Sequence, residues 1–208
     1  MEPQLLLLDE PLSNLDAKLR ERMRFELRRL QRELKVTTVY VTHDQGEALA
    51  LSHSIAVMNE GRIVQMGSPR DIYERPRSRF VADFVGTTNF LDATVLAVEE
   101  GEGRYLVKSR IADLSVRSDC SLRAGEPVVI SVRPEDIELS EQHREGTEIG
   151  NVCEGVVAAR VFLGEHLGFQ VKVGEQFLLV RAHPSMSTRV GEKVFLAVNP
   201  EKCVAIPN

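Results

Sequence analysis

Leu5-Leu6-Leu7-Leu8-Asp9-Glu10-Pro11-Leu12-Ser13-Asn14-Leu15-Asp16 is the stretch that decides the fold. Four consecutive leucines closed by two carboxylates and a proline read as a short strand buried on both faces, since nothing in the run is polar enough for water. Pro11 helps to end it, having no N–H for a ladder. From Ala17 to Lys35 the period becomes helical: Leu19, Met23, Leu27, Leu30 and Leu34 form one apolar stripe, and Asp16 is the expected N-cap. The other faces carry Lys18, Arg20, Arg22, Arg24, Arg28, Arg29 and Arg32 against Glu21, Glu26 and Glu33, which reads as a solvated face with some i to i+4 pairing. Val36 to Val41 is β-branched and aromatic, hence a second strand, and it ends at Thr42-His43-Asp44. A short helix is expected through Ala48, Leu49 and Leu51. The order strand, helix, strand, helix predicts an α/β region with a parallel sheet and right-handed crossovers.

Further along, Ser54 to Asn59 and Arg62 to Met66 flank Glu60-Gly61 as a hairpin, and Ser68-Pro69 is a helix start, serine as cap and proline in the first turn. After Thr88 the helical period disappears. Alternating segments follow at Phe90–Val98, Tyr105–Ser109, Val128–Val132, Val152–Phe162, Phe169–Val173, Phe177–Ala182 and Val194–Val198, predicting an all-β domain built as a small barrel. The expected domains are therefore 1–88 and 89–208. Ser140 to Gly150 is the expected flexible loop. Inside the β region, Arg123, Gly125, Glu126, Val128, Val132, Pro134 and Glu135 recur 66 residues later as Arg189, Gly191, Glu192, Val194, Val198, Pro200 and Glu201. Two related β units, too few for a solenoid, are expected to assemble into one domain.

Composition excludes several classes. With 208 residues, 43% hydrophobic and 27% charged, the chain has the make-up of a globular protein with a packed core. Its longest apolar run, Val194 to Val198, falls far short of the ~20 residues of a membrane span. Met1-Glu2-Pro3-Gln4 lacks a basic n-region, so no secretory signal is expected. Cys120, Cys153 and Cys203 are odd in number and far apart, which fits a reducing cytoplasm and core packing better than a disulfide framework or a zinc site. Residues 1–88 hold 13 basic and 13 acidic groups, and 89–208 hold 13 and 18. An OB-like nucleic-acid binder needs a basic groove with stacking aromatics. The β region is acidic, and its Phe90, Tyr105, Phe162, Phe169, Phe177 and Phe195 mostly occupy strand patterns suited to a core. No nucleic-acid partner is expected.

Parallel sheets bind ligands beyond the carboxyl ends of their strands, and two such ends here carry Asp9-Glu10 and His43. That set suits phosphate chemistry: one carboxylate holds Mg²⁺ through water, its neighbour orients an attacking water, and a histidine contacts the transferred phosphoryl group. Taken singly, each is as readily a polar turn.

Together, Leu5 to Asp16 and Val41-Thr42-His43-Asp44 closely resemble the nucleotide-binding subunits of ABC transporters, a P-loop NTPase family. The resemblance implies that Asp9 is the Walker B aspartate for Mg²⁺, Glu10 the adjacent glutamate that polarises the hydrolytic water, and His43 the switch histidine at the γ-phosphate. Ser13-Asn14-Leu15-Asp16 resembles the D-loop, with Ser13, Asn14 and Asp16 as nucleotide-side residues at a dimer interface. The likeness continues through Gly46-Glu47-Ala48, Asn59 to Pro69, Ile72-Tyr73, Pro76 and Phe80 to Gly86, as in importers with a C-terminal regulatory domain. Val132 to Ile137 and its repeat resemble the TOBE domain, an OB-like β fold that supports dimerisation and regulation. Implied with these are a homodimer, transmembrane permease subunits as partners, ATP and Mg²⁺ as cofactors of the full-length subunit, and a peripheral place on the cytoplasmic face of the inner membrane. Gly86 to Leu91 looks most like the iron(III), polyamine and phosphonate group, with sugar and sulfate importers left open.

The phosphate loop G-x-x-x-x-G-K-[ST] does not occur among these residues: no glycine precedes a lysine, and no Gly-Gly pair provides a signature motif. The expectation is a portion of a longer reading frame that by itself binds Mg-ATP poorly and does not hydrolyse it. The alternative is a non-catalytic regulatory or dimerisation module whose β domain binds a small ligand or a protein.

Overall fold

In the computed structural model, which describes residues 3–101, 103–142 and 150–207, β1 (Leu5–Asp9) and β2 (Thr37–Val41) pair in parallel, from Leu5 opposite Thr37 to Asp9 opposite Val41. The chain packs as two units, Met1–Tyr73 and Glu74–Asn208. The first holds β1, α1 (Ala17–Leu34), β2, α2 (Gln45–Leu51), the hairpin β3 (Ile55–Asn59) and β4 (Arg62–Gly67), and most of α3 (Pro69–Glu74).

Its local signals act as the residues dictate. Asp16 Oδ1 accepts the Leu19 N–H at 2.9 Å and starts α1, and Lys35 ends it in the left-handed region at φ 52°. Glu60 and Gly61, at φ 49° and 75°, make the tight turn that matches hairpin twist. Ser68 Oγ and Asp71 bond reciprocally at the start of α3. Burial in this unit is sparse. The leucine run is a strand, yet Leu7 is 68% exposed and Leu5 and Leu6 are exposed too, because a two-stranded sheet supplies one neighbour and no cover for either face. No residue of α1 is buried, although its apolar stripe is intact.

The second unit begins with α4 (Arg79–Phe84), which the sequence period did not indicate. Buried Arg133 donates through Nη1 to the carbonyls of Ala82, Gly86 and Thr87, tying the turn after α4 to the β region. The packing division therefore falls earlier in the chain than residue 88. Among the described residues fourteen strands form, and ten belong here. They are β5 (Asn89–Val98), β6 (Arg104–Ser109), β7 (Asp113–Arg117), β8 (Pro127–Val132), β9 (Ile137–Ser140), β10 (Asn151–Phe162), β11 (Leu167–Val173), β12 (Gln176–Ala182), β13 (Lys193–Val198) and β14 (Val204–Pro207). The short strands β7, β9 and β14 were not legible as alternating runs. Most of the expected loop, including His143, lies outside the described residues; Ser140 itself closes β9.

The internal repeat is structural. In both copies a turn, a strand, a single 3₁₀ turn and a last short strand follow one another: β8, Pro134–Asp136 and β9, then β13, Pro200–Lys202 and β14. The matched residues make matched bonds. Gly125 N–H reaches Val95 O and Gly191 N–H reaches Val157 O, each at 2.8 Å, and both glycines need positive φ, 84° and 89°. Each copy lends its last strand to the other: β14 closes the barrel β14-β7-β6-β5-β8, while β9 completes the sheet β12-β11-β10-β13-β9. Two asparagines bind the halves together. Asn89 holds both backbone groups of Leu179, and Asn151 both of Ser115. One apolar core, with Val107, Val116, Ile130, Phe169, Val171 and Leu196 fully buried, runs through both halves. Cys203 is buried within it, and Cys120 and Cys153 pack against it; burial pushes the thiols of Cys153 and Cys203 up to about 11 and about 12.

Candidate functional site

The parallel register sets Asp9 opposite Val41, so the residues after each strand emerge side by side. Glu10 N–H bonds Val41 O at 2.8 Å, which holds Glu10 in the left-handed region at φ 44°. A non-glycine residue there costs about 1–3 kcal/mol, a strain concentrated at functional sites. The Glu10 carbonyl accepts from Ser13 N–H at 3.2 Å and Ser13 Oγ at 2.9 Å, and buried Leu12 anchors the turn between them.

Across the strand ends, His43 Nδ1 donates to Glu10 Oε1 at 2.9 Å. Both side chains are exposed. The Glu10 carboxylate, first by its hydrogen bond and then by its charge, holds His43 above the ordinary imidazole value of 6.5. The structure thus joins Glu10, His43 and Ser13. Asp9 ends β1 at the same edge and is exposed, Asn14 is exposed in the turn, and Asp16 is engaged as the cap of α1.

Behind His43 lies a polar network that the sequence pattern did not reveal. Thr42 and Asp44, on either side of His43, are both locked: Thr42 Oγ1 donates to Glu47 and accepts the Asp44 N–H, each at 2.9 Å. Asp44 caps α2 through the Glu47 N–H. Glu47 is 1% exposed and also receives the Tyr40 hydroxyl at 2.9 Å. Burial first, and then the Glu47 bond, push the Tyr40 phenol well above its usual value. For Asp44, burial opposes ionisation, but the Glu47 N–H, Arg24 and Arg20 outweigh it and keep its pKa below the ordinary carboxylate value.

The basic face of α1 is where expectation and structure differ. Arg20, Arg24 and Arg28, four residues apart, share one face, as helical geometry requires. Instead of meeting solvent, Arg20 and Arg24 grip Asp44 at the start of α2, and Arg28 donates to the carbonyls of Ala50 and Leu51 at its end. Cations belong at that carbonyl end. The signal was the i, i+4, i+8 spacing of three arginines beside Asp44 and Glu47; charge balance alone concealed it.

The chain is similar to known proteins along most of its length. Residues 130–206 match the TOBE domain family. The Fe(3+) ions import ATP-binding protein FbpC of Brucella melitensis is 45% identical over 86% of this chain and 48% of that protein. The spermidine/putrescine import ATP-binding protein PotA of Pseudomonas aeruginosa is 51% identical over 78% of this chain and 44% of that protein. The protein of the same description from Frankia alni is 41% identical over 99% of this chain and 46% of its own length. The chain thus spans about half the length of the relatives it matches. Among solved structures, the cytoplasmic molybdate-binding protein ModG aligns with a TM-score of 0.52 at 15% identity, over 57% of this chain and 96% of that one, a likeness of fold alone. Over most of its length, then, this chain is homologous to the ATP-binding subunits of Fe(3+) and spermidine/putrescine importers, and its second part carries a TOBE domain.

Proposed function

We propose that these residues are the portion of an ABC importer's ATP-hydrolysing subunit that carries the Walker B carboxylates, the D-loop and the switch histidine, followed by a regulatory and dimerising β domain. The observation that carries this reading is the 2.9 Å contact between Glu10 and His43 at adjacent parallel strand ends. In it, Asp9 would hold Mg²⁺, Glu10 would orient the attacking water and His43 would meet the γ-phosphate of bound ATP, while Ser13, Asn14 and Asp16 line the dimer side. Asp9 suits that role, because Mg²⁺ in phosphoryl-transfer sites takes one or two carboxylates and completes its shell with water and phosphates. Among the described residues no cluster of three or more ligands forms an all-protein cage, and none is needed. Bound Mg²⁺-ATP supplies the reacting phosphoryl group and the charge that neutralises it.

The chain's own groups do the rest. The turn at Glu10 fixes its carboxylate at the strand edge, and His43 donates a hydrogen bond to that carboxylate through Nδ1. The subunit works as a homodimer beneath transmembrane permease subunits on the cytoplasmic face of the inner membrane, and the solute is iron(III) or a polyamine.

The test is a hybrid in which this chain follows the half of the Brucella relative that it does not cover. The hybrid should hydrolyse ATP, Glu10→Gln should abolish turnover while ATP still binds, and the 208-residue chain by itself should show none. Turnover unaffected by Glu10→Gln and His43→Ala overturns the reading. The regulatory-module alternative draws on the ModG fold, since that neighbour binds molybdate. Calorimetric binding of molybdate by the 208-residue chain would favour it.

A further inference from the structure

Arg20 differs from its neighbours on α1 in what it spans. Its Nη2 donates to the Leu15 carbonyl at 2.9 Å, inside the Ser13–Asp16 turn. Its Nη1 donates to Asp44 Oδ2 at 3.3 Å, one residue after His43, and its Nε lies 3.9 Å from Glu47 Oε1. Among the described residues Arg24, one helical turn on, hydrogen-bonds to Asp44, at 3.0 Å to each carboxylate oxygen, and not to the Ser13–Asp16 turn. Both arginines are largely covered, with side chains 30% and 26% exposed. A guanidinium is planar and presents its donors in a fixed fork, so groups held on two of its nitrogens keep a fixed separation.

We propose that Arg20 is a positioning residue that couples the Ser13–Asp16 turn to the His43 turn, so that a displacement of one is carried to the other. For its bearing on ATP hydrolysis this rests on the site reading above; the coupling itself is a property of the folded chain. Thr42 Oγ1 accepts the Asp44 N–H, closing the turn that holds His43 between them, and Asp44 accepts from Arg20. The Leu15 carbonyl lies one residue before the cap of α1, and Leu15 N–H closes on Leu12 O. A shift of the Ser13–Asp16 turn therefore pulls the guanidinium, and with it the anchor of the His43 turn.

Amide exchange followed by NMR on the 208-residue chain tests it, reading Ser13 and Leu15 in one turn and Asp44 and Glu47 in the other. Each of these four amides is hydrogen-bonded within its turn. Arg20→Met should quicken all four together, by about tenfold or more, as loss of a local clamp does. Arg24→Met should quicken Asp44 and Glu47 only. Arg20→Lys keeps the charge opposite Asp44 and the fold, but one ammonium does not span both partners, so it should uncouple the turns as Met does. The proposal is overturned if Arg20→Met leaves Ser13 and Leu15 unchanged, if Arg24→Met reproduces its whole effect, or if Lys restores both turns.

In the hybrid subunit, Arg20→Lys should lower kcat with KM for ATP unchanged. Coupled exchange, together with a kcat that neither Arg20→Lys nor Glu10→Gln alters, would sink the site reading and leave the coupling standing. Uncoupled turns, with Glu10→Gln still abolishing turnover, would sink the Arg20 assignment alone.

Discussion

The two units hold themselves together by different means. In the first, α1 buries none of its side chains and meets α2 through Arg20, Arg24 and Arg28. In the second, strands from two repeats close over a single apolar core. Apolar burial contributes roughly 25 cal/mol per Å² and needs no orientation, whereas the part-buried arginine bonds act only in the right geometry. The β unit is thus specified by bulk pattern, and the first unit by particular partners. Breaking this contrast takes one residue from each. Phe169→Ala should cost about 3–5 kcal/mol in urea unfolding, because it empties a fully buried aromatic site. Leu34→Ala, at a position 64% exposed, should stay within about 0.5 kcal/mol. Equal costs would mean that the stripe of α1 is packed in solution.

That contrast also decides what was legible. Strands β5 and β10 alternate between buried and exposed positions over ten and twelve residues, so period located them, while β8 and β13 stand out as short apolar runs. Strands β9 and β14 are four residues each and owe their pairing to the opposite repeat, which no local window contains. The same holds at the candidate site. Glu10 and His43 were readable as strand-end residues, but their 2.9 Å contact depends on the register of two strands far apart in sequence. Glu47 stands in the sequence as one residue of a Gly-Glu-Ala motif with nothing to give it a role, because its burial appears only when Tyr40 and Thr42 turn toward it.

The exchange of last strands sharpens the comparison within the β unit. Asn89 satisfies the N–H and C=O of Leu179, and Asn151 does so for Ser115, each standing in for a missing strand. Replacing either by alanine leaves two backbone groups without partners, at about 1–3 kcal/mol per unsatisfied buried group. Asn89→Ala and Asn151→Ala should therefore destabilise alike in thermal unfolding. A large inequality between them would show that the repeats, though matched in bonds, do not share the load.

In the first unit the corresponding change is smaller. Glu47→Gln keeps the shape but replaces a charged acceptor for two hydroxyls with a neutral one, which should cost about 1–2 kcal/mol. It should also bring the Tyr40 phenol back toward its ordinary range, since the Glu47 bond and charge are, after burial, what raise it. Tyrosinate absorbance on an alkaline titration reads this directly. An unmoved Tyr40 would assign its shift to burial alone.

The smallest effect belongs to the exposed pair at the strand ends. His43 is raised above 6.5 in the fold by Glu10, with Asp44 and Glu47 adding to it. A group raised on folding contributes its stabilisation fully below its unfolded value and loses it as pH climbs through the folded value. The Glu10–His43 contact should therefore be tightest below pH 6.5 and loosen above the folded midpoint, a window read from the His43 ring protons by NMR. Glu10→Gln should return the midpoint toward 6.5, whereas Asp9→Asn, at the neighbouring residue, should leave it nearly in place. If Asp9→Asn moved it as far as Glu10→Gln, His43 would be answering to the charge of the whole strand edge. The paired geometry of one carboxylate and one imidazole would then no longer explain why His43 is raised.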